Sequence, residues 1–137
     1  MAETFHAQIL TPDGTLFEGD ARGVQIPGVS GSFEIRADHA PIISTLGVGH
    51  IRIESEQGEP LYMAITGGLV EMSDNRMTLL AEIAERVEDI DVERAMRARK
   101  RAMDQLFKPE TEDRLSAESA LRRAENRLNV IEMQKKG

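Results

Sequence analysis

Arginine residues at helical spacing are the part of this sequence best suited to chemistry. Arg94, Arg97 and Arg101 follow one another at intervals of three and four residues, and Arg123 and Arg127 are four residues apart. On helices, these spacings place each group on a single face. Guanidinium groups bind phosphate oxygens through paired hydrogen bonds, so two converging faces could bind a polyphosphate. By spacing alone, a solvated face with acidic counter-charges is the simpler interpretation.

The other reactive residue types form no catalytic or metal-binding pattern. The chain has no Cys, and its three His lack metal-ligand spacing. His39 has no nucleophile or second His near it in sequence, which favours hydrogen bonding to the backbone of a turn over acid–base catalysis. Gly67 and Gly68 match no phosphate-binding loop and indicate a turn or bulge. We therefore predict no catalytic residue, no metal site and no covalently bound cofactor.

Charge is distributed unevenly along the 137 residues. Residues 1–90 contain five Lys and Arg against fifteen Asp and Glu, whereas residues 91–137 contain twelve against nine. This asymmetry indicates two units with different partners. Overall acidity and an aromatic content of 4% argue against nucleic acid as a partner. No segment approaches the roughly 20 apolar residues of a membrane span, so we expect membrane association only through partner proteins.

An all-β pattern covers residues 4–83. Phe5, Ala7 and Ile9 alternate with polar residues, and later segments of the same kind are separated by turns rich in Gly, Pro, Asp and Asn. The segments recur at intervals of about 8 to 12 residues, which predicts a β-sandwich or flattened barrel. We place this domain at residues 1–86.

The hydrophobic period becomes helical after the acidic run at residues 85–89. Asp89 or Asp91 can cap a first helix, and Pro109 ends it before a second helix begins. Two helices joined by a short turn predict an antiparallel hairpin, which we place at residues 87–137. Because its Ala- and Leu-rich seam is narrow, we expect the hairpin to depend on docking against another surface.

Two sequence blocks, combined with a C-terminal helical hairpin, carry a resemblance to a known family. With x for positions outside the pattern, the blocks are Ile26-Pro27-Gly28-x-x-Gly31-x-Phe33-x-Ile35 with His39-Ala40-Pro41-Ile42-Ile43, and Thr66-Gly67-Gly68-Leu69-Val70-Glu71. Over nearly its full length, the chain resembles the epsilon subunit of bacterial F-type ATP synthases.

The resemblance implies an α+β fold, with a flattened ten-stranded β-sandwich followed by an antiparallel α-helical hairpin. It also implies a non-catalytic rotor subunit of the central stalk, peripheral to the cytoplasmic face of the bacterial inner membrane, that serves ATP synthesis and hydrogen ion transport. The sandwich would bind the gamma subunit and the c ring. The hairpin would permit rotation when folded on the sandwich, and would inhibit ATP hydrolysis when extended towards the alpha and beta subunits.

Three residues are candidates for contact with the rotor. Ser32 replaces a Glu that in the family faces the c ring, Glu34 replaces a Gly, and His39 belongs to the His-Ala-Pro sequence. Asp38 also replaces a Gly, and Asp tolerates the left-handed backbone conformation that Gly would take. These departures preserve the expected fold, but c-ring contacts cannot be transferred residue by residue.

A family motif makes the arginine cluster a candidate nucleotide site. Members that bind ATP on the folded hairpin carry Ile/Leu-Asp-x-x-Arg-Ala, and residues 90–95 match it. The resemblance therefore implies that regulatory ATP binds at Glu85, Ile90, Asp91, Arg94, Ala95, Arg101, Arg123 and Arg127. We expect the arginines to contact the phosphates, and Glu85 and Asp91 to accept hydrogen bonds from the base or ribose.

Two other functions stay open at this point. A structural rotor subunit could inhibit hydrolysis without binding nucleotide, in which case the arginines would serve only the catalytic head. A free-standing β-domain acting as a binding module would need a pocket with convergent polar groups, which the sequence does not reveal.

Overall fold

A computed structural model describes residues 3–56, 58–108 and 113–136. The strands are β1 (Phe5–Thr11), β2 (Gly14–Ala21), β3 (Gly23–Gly28), β4 (Gly31–Arg36), β5 (Ile42–Leu46), β6 (Gly49–Glu54), β7 (Leu61–Ile65), β8 (Gly68–Ser73), β9 (Arg76–Ala81) and β10 (Ala84–Arg86). A short 3-10 turn, Val87–Asp89, leads to helices α1 (Val92–Leu106) and α2 (Arg114–Lys136).

Strand β3 joins the two layers of the β structure. Its first residues, Gly23 to Gln25, pair with β6, whereas its last residue, Gly28, pairs with β5. Strands β7 and β10 continue beyond β6, while β8, β9, β1 and β2 continue beyond β5. β4 pairs with β3 along the whole strand. The predicted fold, a ten-stranded sandwich followed by a helical hairpin, is confirmed.

The interior of the sandwich is aliphatic because alternate residues of each strand point inward. Phe5, Ala7 and Ile9 of β1 are each 1% exposed or less, as their alternation predicts. Isoleucine and methionine fill most of the remaining volume, and among the described residues Phe5 is the only fully buried aromatic member of this cluster. Each fully buried side chain of this size contributes about 1.5–3 kcal/mol, so burial of this core is the main stabilising contribution to the sandwich.

Left-handed backbone conformations close two neighbouring turns. Asp74 and Asn75, with φ of 50° and 58°, link β8 to β9, and Asp38, with φ of 61°, follows β4. The side chain of Asn75 connects these turns, since its Oδ1 accepts the Asp38 N–H at 2.8 Å and its Nδ2 donates to the Thr4 carbonyl at 2.9 Å. The expected tolerance of Asp38 for this conformation is confirmed.

The helical hairpin packs on the outer face of β6 and β7 through one face of α2. Ala64 lies between the inward-facing residues of β7, so it points out of the sandwich, where it contacts Val130 and Ile90. One helical turn before Val130, the Nδ2 of Asn126 donates to the Gly49 carbonyl at 2.7 Å. We call this contact between α2 and the sandwich the docking seam.

A side-chain amide completes the open edge of β7 at the other end of the docking seam. β10 pairs with β7 only as far as Met63, which is opposite Arg86. Beyond that point, the Oε1 of Gln134 accepts the Tyr62 N–H and its Nε2 donates to the Pro60 carbonyl, both at 2.9 Å. Gln134 thereby takes the place of one further strand residue and satisfies edge groups that would otherwise need water.

Substitution Gln134→Ala should weaken the docking seam without disturbing the sandwich core. Loss of the two hydrogen bonds is expected to cost about 1–2 kcal/mol of docking free energy. Amide hydrogen exchange at Tyr62 should therefore accelerate, while exchange in β1 and β9 stays unchanged. Asn129→Ala is the matched control, because Asn129 is exposed on the same helix. Unchanged Tyr62 exchange in Gln134→Ala would contradict this assignment.

Candidate functional site

An open pocket of about 460 Å³ lies where β10, the 3-10 turn, α1 and α2 meet. Apart from two alanines, its lining is charged. The acidic residues are Glu85, Asp89 and Asp91, and the basic ones are Arg94, Arg97, Arg101 and Arg127. The two halves of the chain that differ in net charge therefore both contribute to this pocket.

Asp91 fixes the position of the first arginine because it starts α1. Its Oδ1 accepts the Arg94 N–H at 3.1 Å in an N-cap, so the structure selects Asp91 over Asp89 as the capping residue. From this start, helical spacing directs Arg94, Arg97 and Arg101 to the side of α1 that lines the pocket.

Arg127 lines the pocket from α2 and forms an ion pair with the sandwich. Its Nε lies 2.5 Å from the Oε1 of Glu85 on β10, and the two side chains are 26% and 28% exposed. This partial burial makes the ion pair stronger than the exposed pairs elsewhere on the helices. By contrast, no described carboxylate is close enough to pair with Arg94 or Arg101.

The structure brings together six of the eight residues predicted for nucleotide binding. They are Glu85, Asp91, Arg94, Ala95, Arg101 and Arg127. Ile90 is instead buried in the docking seam, and Arg123 donates to the Ser119 hydroxyl at 2.7 Å within α2 without lining the pocket.

Three lining residues, Asp89, Arg97 and Ala98, lie outside the predicted set. The sequence indicates Asp89 only as a candidate cap, although its acidic position just before α1 is visible there. Arg97 was recognised on the same helical face as Arg94 and Arg101, but the family motif does not include it. The spacing of three residues after Arg94 was thus a usable signal.

The three rotor-contact candidates lie on and after the edge strand β4. Ser32 and Glu34 alternate with inward-facing residues and are both exposed. Ser32 accepts a hydrogen bond from Gln25 at 3.1 Å, and Glu34 pairs with Arg36 at 2.6 Å. In the turn after β4, His39 Nδ1 is 2.7 Å from the Ala40 carbonyl, so its predicted hydrogen bond to the turn backbone is confirmed.

These features define a class of two-part chain, with an independent β-sandwich and a hairpin docked beside a charged pocket. A family model described as the beta-sandwich domain of the ATP synthase delta/epsilon chain matches residues 4–87. A second, described as the long alpha-helix domain of the same chain, matches residues 88–132. The chain belongs to the ATP synthase delta/epsilon chain family.

Curated relatives share most of their length with this chain. The ATP synthase epsilon chain of Shouchella clausii is 42% identical over 93% of this chain and 94% of its own length. The ATP synthase epsilon chain of Halalkalibacterium halodurans is 43% identical over 93% of this chain and 96% of its own length. The predicted family is confirmed, and with it the prediction of a non-catalytic subunit.

Solved structures show the same fold at lower sequence identity. A chain of the Euglena gracilis mitochondrial ATP synthase, in a structure of OSCP, F1 and c-ring, is similar with a TM-score of 0.80 and 22% identity, over 90% of this chain and 78% of that one. A chain in a structure of the central stalk and c-ring of the Tetrahymena thermophila mitochondrial ATP synthase is similar with a TM-score of 0.60 and 13% identity. The similarity covers 94% of this chain and 97% of that one. None of the described helices has the length and apolarity needed to cross a membrane.

His50 is a titratable residue beside the docking seam. It pairs with Ala64 across β6 and β7, and its ring centroid is 6.1 Å from that of Tyr62. The Tyr62 hydroxyl accepts a hydrogen bond from Arg52 at 3.1 Å. Burial, together with the positive charge of Arg52, lowers the pKa of His50 below 6.5, so the folded chain disfavours its charged form.

Acidification should therefore destabilise the protein partly through His50. Below about pH 6.5 an unfolded His binds a proton that the folded chain binds less readily, so stability falls as pH decreases from about 7.5 to 5.5. In His50→Gln this loss should be smaller, measured by urea unfolding across that range. Asn129→Ala, an exposed substitution that leaves the histidines in place, is the control and should keep the wild-type profile. Identical pH profiles for His50→Gln and wild type would refute the assignment.

Proposed function

We propose that this protein is the epsilon subunit of the central stalk of a bacterial F-type ATP synthase, and that its hairpin is a nucleotide-sensitive regulator of ATP hydrolysis. Residues 1–86 bind the gamma subunit and the c ring, and residues 87–137 form the regulatory hairpin. The subunit is peripheral to the cytoplasmic face of the inner membrane and reaches the membrane only through the complex. Family membership and bacterial relatives that are themselves epsilon chains support this assignment.

The single observation that supports nucleotide sensing is that the sandwich and both helices contribute residues to the pocket. Glu85 comes from the sandwich, Arg94 and Arg101 come from α1, and Arg127 comes from α2. The complete set of groups exists only while the hairpin is docked. A ligand that fills the pocket therefore stabilises the docked state, by about 2.7 kcal/mol at a hundredfold excess over its dissociation constant.

Two unpaired guanidinium groups indicate the chemistry of that ligand. Arg94 and Arg101 have no described carboxylate partner and face the same open pocket, which suits the phosphates of ATP. When ATP is scarce, the docked state loses this stabilisation and the hairpin extends towards the alpha and beta subunits. The net positive charge of residues 91–137 then favours an acidic surface on the catalytic head, where the hairpin inhibits hydrolysis.

Coupling to the c ring is proposed for the edge of the sandwich formed by β4 and the turn after it. Ser32 and Glu34 are exposed there, and His39 shapes the turn through its hydrogen bond to the Ala40 carbonyl. An exposed edge strand also has unpaired backbone groups for a partner. This edge thus transmits rotation during ATP synthesis while the hairpin stays on the outer face of β6 and β7.

One observation favours a second candidate, a rotor subunit that inhibits without nucleotide. Arg127 forms an ion pair with Glu85, and Asn126 and Gln134 donate hydrogen bonds to backbone carbonyls of the sandwich. Protein contacts alone therefore hold the hairpin in its docked position. Calorimetry separates the two candidates, because only the nucleotide-sensitive one requires ATP binding at millimolar concentration or below.

An ATP titration that follows hairpin position tests the proposal. A distance probe between β2 and α2 should report a larger docked fraction as ATP increases. Arg94→Gln should need about tenfold more ATP, because a charge-assisted hydrogen bond contributes about 1.5–3 kcal/mol. Lys100→Gln is the matched control, since Lys100 lies on α1 outside the pocket, paired with Asp104. Equal responses of wild type and Arg94→Gln would reject nucleotide sensing.

A further inference from the structure

We propose that Arg97 is a phosphate-binding residue of the pocket and that it selects nucleotides with a chain of phosphates over monophosphates. This inference rests on the proposed nucleotide site and adds a specificity-determining residue to that same site. Arg97 lines the pocket, whereas Arg123, which the family resemblance implied as a site residue, does not.

Charge balance in the pocket is the first argument. Arg127 is neutralised by Glu85, with which it forms a close ion pair. The remaining carboxylates in the lining, Asp89 and Asp91, equal Arg94 and Arg101 in number. Arg97 brings the lining to four arginines against three carboxylates, and the resulting excess of positive charge favours a polyanionic ligand.

The weak ion pair that Arg97 forms within the protein is the second argument. Its only described ion pair is with Glu93, at 3.9 Å, and the Glu93 side chain is 88% exposed. Solvent screens such a pair strongly, so a ligand can replace it at little cost. Arg123 differs because it is less exposed and donates to Ser119 at 2.7 Å, outside the pocket lining.

The position of Arg97 along the helix is the third argument. At about 1.5 Å per residue, Arg94 and Arg101 are separated by roughly 10 Å along the axis of α1, and Arg97 lies between them. Three guanidinium groups in a row fit an extended chain of phosphates better than one phosphate. A monophosphate can contact one or two of them, whereas a triphosphate can contact the full row.

Two other basic residues of α1 lie outside the pocket. Arg99 pairs with Glu125 of α2 at 3.8 Å, and Lys100 pairs with Asp104 at 3.1 Å. Neither residue lines the pocket. Arg99 is therefore the natural control for Arg97, because it is an arginine two residues away on the same helix.

Calorimetric titration of the full chain with ATP and with AMP tests the proposal. In Arg97→Gln the dissociation constant for ATP should rise about tenfold, as expected for loss of one charge-assisted contact, while that for AMP changes less than about threefold. Arg99→Gln and Arg123→Gln should stay within about twofold of wild type. Circular dichroism confirms that each variant retains its helices.

Different outcomes overturn different claims. If wild type binds ATP and Arg97→Gln binds it equally well, the role of Arg97 is wrong and the proposed nucleotide site stands. If Arg97→Gln loses ATP and AMP affinity to the same extent, the selection of phosphate chains is wrong. If wild type does not bind ATP at millimolar concentration, the proposed nucleotide site fails and the role of Arg97 fails with it.

Discussion

The docking seam between α2 and the sandwich is the contact on which the arrangement of this molecule depends. Among the described residues, seventeen buried side chains form the core of the sandwich, whereas three form the apolar centre of the seam. The sandwich core is therefore much larger than the apolar contact that holds the hairpin against it. Val130, Asn126 and Gln134, spaced four residues apart on α2, provide one apolar and two polar anchors. A contact of this size can be replaced by another surface at modest free-energy cost.

The charged pocket lies next to the same seam, so a ligand bound there, as proposed, would be linked to hairpin position. The ion pair between Arg127 and Glu85 is both a wall of the pocket and a connection between α2 and β10. In the proposed mechanism, a polyanion that engages the arginines acts on the docking equilibrium without having to deform the sandwich. The mechanism proposed for the family member therefore needs no signal through the protein core. It needs only that the ligand binds more tightly to the complete pocket of the docked hairpin than to the separated residues of the extended one.

Local patterns allowed the strands, the helices and the arginine face to be predicted from sequence. Alternation in β1 and helical spacing of Arg94, Arg97 and Arg101 depend on neighbours within a few residues, which the sequence displays directly. The partners across the docking seam could not be predicted in this way, because Gln134 binds backbone groups more than seventy residues earlier in the chain. The exclusion of Arg123 from the pocket likewise depends on how α2 is rotated against the sandwich. Spacing within one helix does not specify that rotation.

Native-state hydrogen exchange measured against denaturant concentration tests most directly whether the docking seam is a separate, weaker unit. The account predicts that amides of α2 around Val130 exchange through a sub-global opening, at lower free energy and with smaller denaturant dependence than amides of β1 and β9. If amides of α2 and of the sandwich exchange only through the same global unfolding, the hairpin is part of a single cooperative unit and the account is contradicted.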